Sequence, residues 1–386
     1  MKEKTRILHI IKTLRLGGAE VNLLNLLAAL DQDRYEVHVA YSFGGELESK
    51  FQNTGIRLFK YAKQDHKVKS PASVGIIARL VGYILSQDID IIHTHNFSAH
   101  IWGSAAAKLT ARKIVEHVHD FRYVSPQDFA RRRGFNNQYK FIRNFRRVSD
   151  RVVVLTDQNR QFLIEQDLYP SERIREYQNG IPLGVQENIQ QEEAKSQLIE
   201  QFGLRSDAAI ILTPVRLSPE KNVDLILRIA PQVIEHVPNA VFLIAGDGPL
   251  GDQIGTQIIN KGLQENVKMI GYCPEITRLL QATDVFLLPS FLELHSVAVL
   301  EAMSMQVAVV ISKDTGCNNE FIDGENGILL DPFCDDGWAQ ALIRLLQIPS
   351  LRHHMAQKGF QTCLQRFNIK DVARKFEGLY DELTVI

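Results

Sequence analysis

At 386 residues, with 45% hydrophobic and 23% charged side chains, the chain has the make-up of a folded protein and is too long for one ordinary core. A formal net charge of −1 excludes a global pull toward nucleic acid or an anionic membrane. Cys273, Cys317, Cys334 and Cys363 lie far apart with no CxxC spacing, which excludes a disulfide scaffold and reads as reduced thiols in a cytoplasmic protein. The segment before the first strand lacks a signal-peptide apolar region, and no apolar run is long enough to span a bilayer.

The chain opens on an apolar, β-rich run over 6–14. The turn Leu16-Gly17-Gly18-Ala19-Glu20 follows, and then leucines at helical spacing up to Leu30. Glycines between a strand and a helix let backbone approach a phosphate, and they equally suit a plain βα turn; neither GxGxxG nor a Walker ending is present. Further strands are predicted at 36–42, 56–61, 89–95, 113–120 and 151–156, with helices at 73–86 and 99–109 between them. This alternation predicts a parallel, doubly wound sheet that binds ligands beyond the carboxyl ends of its strands.

His93, His95, His119 and Asp120 all fall at that edge. The His93-Thr94-His95 pair has no Cys or carboxylate cluster to complete a metal site. His119 suits proton transfer or a bond to a hydroxyl, and it equally suits a structural histidine. Residues 122–151 carry nine Lys or Arg interleaved with aromatics. Such a segment fits either a solvated face or a peripheral contact with an anionic membrane or acidic acceptor.

Asn179-Gly180-Ile181-Pro182 and the polar stretch beyond it predict a boundary between domains 1–185 and 186–368. Strand–helix alternation restarts at 208, and a final helical pattern over 370–383, in a segment 369–386, is long enough to return to the first domain. Arg216 and Lys221 lie five apart on a loop that follows a strand, where a guanidinium fork and an ammonium can converge on a diphosphate. Gly246-Asp247-Gly248-Pro249 and Gly316–Glu320 end two other strands. Glu293 precedes a predicted helix and Glu301 lies about a turn inside it, bracketing a helix N-terminus suited to an anion.

In this order and spacing, Gly17-Gly18-Ala19-Glu20, Arg216 to Asn222, Gly246 to Pro249, Leu288-Pro289-Ser290, and Glu293 with Glu301-Ala302-Met303 resemble the retaining glycosyltransferases of family 4. The resemblance implies a GT-B fold: two Rossmann-like doubly wound domains facing across a cleft, with the C-terminal helix packed back on the first. It implies sugar transfer from an NDP-α-sugar to a glycan, lipid-linked or small-molecule hydroxyl, without metal or other cofactor and without a nucleic-acid partner. By the same resemblance Arg216 and Lys221 hold the donor diphosphate and Glu301 the ribose. Glu293 faces the donor sugar, Gly17 and Gly18 approach the donor, and His119 lies beside the sugar. Gly246, Gly248, Ser296 and Val297 complete the donor-binding set. The chain departs from the family's Gly-Phe-Gly after the first glutamate, carrying Leu294-His295-Ser296 instead, which places His295 as a contact to sugar or acceptor. An epimerase or hydrolase on the same fold, or a silent nucleotide-sugar-binding subunit, is the alternative.

Overall fold

A computed structural model describes residues 4–62, 72–119, 148–183, 191–273, 276–291, 293–313 and 321–384. The chain forms two compact units, Met1–Gly180 with Ile369–Ile386, and Ile181–Asn368. The division falls at Gly180/Ile181, where the strand of chain entering the second unit lies beside the one leaving it: the Ile181 N–H donates to the Phe367 carbonyl at 2.9 Å.

The first unit is built on β1 (Thr5–Ile10), β2 (Tyr35–Tyr41), β3 (Arg57–Lys60), β4 (Ile91–His95), β5 (Lys113–His117), β6 (Arg151–Val154) and β7 (Ile174–Glu176). They lie in the order β3-β2-β1-β4-β5-β6-β7, all parallel. Because a strand alternates faces, Ile7, Ile91 and Val115 enter one core and Leu8, Ile92 and Ile114 the other. The helix Ile369–Thr384 belongs to the first of these cores through Ile369, Val372, Phe376 and Tyr380. Its Glu382 pairs with Arg151 and Arg175, so Arg151 is an internal tie rather than part of an outward basic face. The rest of the basic segment, through residue 147, lies outside the described residues, as does Asp120.

The second unit holds β8 (Ala209–Pro214), β9 (Ala240–Ala245), β10 (Val267–Gly271), β11 (Val285–Leu288), β12 (Ala308–Ser312) and β13 (Ile328–Leu330), in the order β10-β9-β8-β11-β12-β13 and again parallel. In each sheet the order reverses once, between β1 and β4 and between β8 and β11. That reversal splays the following loops apart and opens a crevice at the carboxyl ends. The predicted site residues lie mainly on the loops after β1, β8, β9 and β11.

At the opposite end of the second sheet, Asp284 Oδ2 accepts from the Ile210 N–H at 2.8 Å and from Lys195 Nζ at 2.7 Å, while Arg352 lies 3.3 Å from Oδ1. The carboxylate is 8% exposed. Asp284→Asn is expected to cost the second unit about 2 kcal/mol in urea unfolding, the scale of a buried charge-assisted bond. An unchanged midpoint would show that the cations pin nothing. Among the described residues no helix is long and apolar enough to cross a membrane.

Candidate active site

In the second unit, β8 runs into Val215–Ser218, a short 3₁₀ turn at Pro219–Lys221, and Asn222, which takes a left-handed conformation (φ 50°). Asn adopts that conformation more readily than most residues. Its buried amide donates to the Pro289 carbonyl at 3.1 Å and to the Pro332 carbonyl at 3.3 Å, tying this loop to the one after β11. The Phe291 N–H adds a bond to the Glu220 carbonyl at 2.8 Å. The two loops flanking the sheet's reversal are thus held as one piece.

On that piece Lys221 Nζ lies 2.5 Å from Glu293 Oε1, and Ser290 Oγ donates to the same oxygen at 2.8 Å. Both side chains are largely withdrawn from water, at 22% and 11% exposure, so the pair is far less screened than a surface contact. Arg216 is more exposed, its guanidinium 3.1 Å from Glu220 Oε1. Burial works to raise the Glu220 carboxyl, but hydrogen bonds from Ser218 and its own backbone, with Arg216 beside it, bring it below the ordinary glutamate value. A fixed anion therefore aims the flexible arginine.

Gly246 and Gly248 pack against this loop. A Cβ on Gly246, at φ 145°, would lie 1.9 Å from the Val215 carbonyl oxygen, and one on Gly248 2.4 Å from that of Leu217. The glycines let the β9 loop dock backbone to backbone, with the Leu217 N–H donating to the Asp247 carbonyl at 2.9 Å. What they touch among the described residues is the Arg216 loop itself.

Beyond Glu293, the helix Val297–Ser304 begins at Ser296, whose side chain makes no capping bond. Its first N–H groups therefore face the loop without a side-chain cap. Val297 is buried and Glu301 half-buried, one turn in. His295, expected from sequence as a contact to sugar or acceptor, is a buried residue of this loop. Its ring is 4% exposed, edge-on to Phe367 at 5.2 Å, and burial lowers its pKa to about 3. It is an uncharged, buried group packed on Phe367. Leu294 is buried too, so the bulk that replaces glycine is absorbed inward. Residues 314–320 lie outside the described residues.

In the first unit Gly17 is the N-cap of the helix Gly18–Ala29, and a Cβ there would meet Glu20 Oε2 at 2.5 Å. Glu20 accepts from Thr13 Oγ1 at 3.2 Å, and burial raises its carboxyl above the ordinary value.

The parallel register sets His9 beside His93 and His95 beside His117. With His119 they form a cluster that spans three strands. Nitrogens of His9, His93 and His95, and of His95, His117 and His119, come within 4.8 Å of one another, sets that could hold a metal ion. Here they serve each other: His9 Nδ1 lies 2.9 Å from His95 Nε2, and His95 Nδ1 lies 2.9 Å from His119 Nε2. Tyr380 hydroxyl lies 2.8 Å from His93 Nδ1. Burial lowers His9 to about 3 and His93, His95 and His117 well below the usual value, so all four are neutral. Reading the strands as apolar runs missed His9 and His117; the signal was histidine at period two, over 93/95 and 117/119.

Residues 16–185 match the family described as Glycosyltransferase Family 4, and residues 194–362 that described as Glycosyl transferases group 1. Over 99% of its length the chain is 25% identical to the Escherichia coli UDP-Gal:alpha-D-GlcNAc-diphosphoundecaprenol alpha-1,3-galactosyltransferase, covering 98% of that protein. It is 27% identical over 74% of its length to the alpha-D-kanosaminyltransferase of Streptomyces kanamyceticus, covering 76% of it. The crystal structure of Anabaena HepE in complex with UDP-glucose superposes with a TM-score of 0.84 at 21% identity, over 98% of this chain and 99% of that one. Family matches to both halves, and a fold shared over nearly the whole length, make this chain a glycosyltransferase of GT-B architecture.

Proposed function

We propose that the chain transfers a hexose from an NDP-α-sugar, UDP-linked by preference, to a hydroxyl of a glycan, lipid-linked or small-molecule acceptor. The transfer retains the anomeric configuration and uses no metal. The observation that carries this reading is the loop pair after β8 and β11, where Arg216, Lys221 and Glu293 are held together by Asn222 and Ser290. Cations on a rigid loop beside a helix N-terminus can take up the charge of a departing diphosphate, the work a metal does elsewhere. Lys221 and Ser290 both bond Glu293 Oε1, leaving Oε2 to accept from a sugar hydroxyl. Glu301 takes the ribose. Gly246 and Gly248 serve by positioning the Arg216 loop, and in the first unit Gly17, Gly18 and His119 address the donor. Attack from the leaving-group face within a short-lived ion pair gives retention and needs no protein nucleophile.

The UDP preference rests on the names of the galactosyltransferase relative and the UDP-glucose complex, and a lipid-linked acceptor on the former. Such an acceptor would suit a basic membrane contact through 122–151, Arg151 excepted. A thermal-shift panel of UDP-, GDP-, ADP- and dTDP-sugars tests the site. At a hundredfold excess over Kd the bound donor adds about 2.7 kcal/mol to native stability. One nucleotide class should shift the wild type and shift Glu301→Ala less. No shift with any nucleotide would overturn the reading, and conversion of donor without acceptor would mark an epimerase or hydrolase.

A further inference from the structure

We infer that Glu20 is itself a donor-binding residue: its carboxylate, packed against Gly17, accepts a hydrogen bond from a hydroxyl of the donor sugar. Gly17 is glycine to leave that carboxylate its place. The inference rests on the reading that the Gly17-Gly18 turn addresses the donor, and it names the group that does so.

The backbone at Gly17 does not call for glycine. Its φ of −160° is extended, a conformation that any residue adopts. What stands in the way of a side chain is Glu20. Among the described residues a Cβ on Gly17 would meet only this side chain, at 2.5 Å from Oε2 and 3.5 Å from Cδ. The tip of a glutamate can swing aside for a methyl group. Glycine is therefore required here only if the carboxylate is wanted where it stands.

Two bonds hold it there. Oε1 accepts from Thr13 Oγ1 at 3.2 Å, and the carboxylate accepts from its own backbone N–H. Burial raises its pKa, and no neighbouring positive charge offsets that rise. An ionised carboxylate has about four lone-pair sites, so acceptor capacity remains after these bonds. The group stands on the loop after β1, at the edge of a parallel sheet where ligands bind. A carboxylate without a cation repels a diphosphate and welcomes a hydroxyl. Glu20 therefore meets the sugar, and the diphosphate is left to Arg216 and Lys221 of the second unit.

The test compares Gly17→Ala, Glu20→Ala, the double variant and Glu20→Gln. The probes are UDP alone and UDP-glucose or UDP-galactose, whichever the chain turns over. In Gly17→Ala the new methyl displaces the carboxylate, so the first three variants should lose the same factor in kcat/KM. That factor should be about 10–100-fold, the scale of one hydrogen bond to a charged group. Glu20→Gln keeps an acceptor oxygen and should recover part of the loss. The thermal shift given by UDP alone should match wild type in all four. With one monodeoxy form of the donor sugar, the one lacking the bonded hydroxyl, wild type and Glu20→Ala should turn over alike. A double variant that loses the product of the two single factors would show that Gly17 meets the ligand directly, and would overturn the inference. A penalty that persists with every monodeoxy donor, or a matching loss of UDP affinity, would overturn it too. If Glu20→Ala fails to fold, Glu20→Gln with the same monodeoxy series decides. No nucleotide shift in the wild type would sink the transfer reading and this inference with it, whereas a normal shift with the variant pattern broken sinks the inference alone.

Discussion

Lys221→Ala should lower kcat by about 10²–10³-fold, the scale set by removing one preorganised group aimed at developing charge. The ammonium is the partly buried member of the two cations on the β8 loop, 2.5 Å from Glu293, and its stem is fixed by the turn that Asn222 closes. It is in place before the leaving phosphate gains charge, so no reorganisation is needed during the reaction. Lys221→Arg should recover only part of the rate, since a planar fork cannot occupy the space of a point charge. The fold should survive, because Glu293 keeps its bond from Ser290 and the two loops keep the Asn222 tie. A wild-type melting temperature with turnover under one hundredth of normal is the expected pair of results. More than half the wild-type rate in Lys221→Ala would remove Lys221 from the chemistry.

Acid should unfold the first unit before the second. Burial holds His9, His93, His95 and His117 neutral in the native state, whereas unfolded histidine titrates near 6.5. The folded values lie below the unfolded ones, so the unfolded chain binds more protons once pH drops through that point, and stability falls with it. Each ring costs about 1.4 kcal/mol by pH 5.5. Four rings in the first unit reach roughly 5–6 kcal/mol there, comparable with the whole stability of many domains. In the second unit burial lowers His295 in the same way. The raised carboxyl of Glu20 acts with opposite sign and offsets part of the loss in the first unit. Trp102 lies in the first unit and Trp338 in the second, and the chain has two tryptophans. Urea curves of Trp102→Phe and Trp338→Phe at pH 7.5 and 5.5 therefore report the units separately. Equal midpoints at the two pH values in the variant that keeps Trp102 would mean the cluster takes up protons without harm.

Class, repeating pattern and most site loops were legible because they rest on local features: apolar strands, helical spacing, and glycine or proline at turns. β7 escaped notice because Ile174-Arg175-Glu176 is three residues long and mostly polar, and it is a strand by virtue of its pairing with β6. The strand ending at His117 was read through to 120, since Val118 continues the apolar alternation although the ladder stops. The Lys221–Glu293 contact spans 72 positions and depends on strand order, which periodicity does not carry. The histidine cluster required register: His9 and His93 are 84 positions apart and neighbours only because β1 lies beside β4. The burial of His295 was not legible locally because Phe367, against which it packs, is far away in sequence.

The helix Ile369–Thr384 is synthesised after the whole second unit, yet its side chains complete the core around Ile7, Ile91 and Val115. During translation the strands β1 to β7 emerge with one face covered only in part, by Leu23, Leu26 and Leu27 of the helix Gly18–Ala29, and they wait while some 190 further residues are added, roughly 10–40 s at ordinary elongation rates. The second unit, by contrast, has all its strands and helices by residue 368. The usual N-to-C order of domain completion is thus inverted, and the nascent first unit has a partly exposed apolar core as its characteristic hazard. A chaperone that shields sheet faces should matter more to this enzyme's yield than its size suggests, and ribosome stalling just before residue 369 should trap a folded second unit beside an unfinished first.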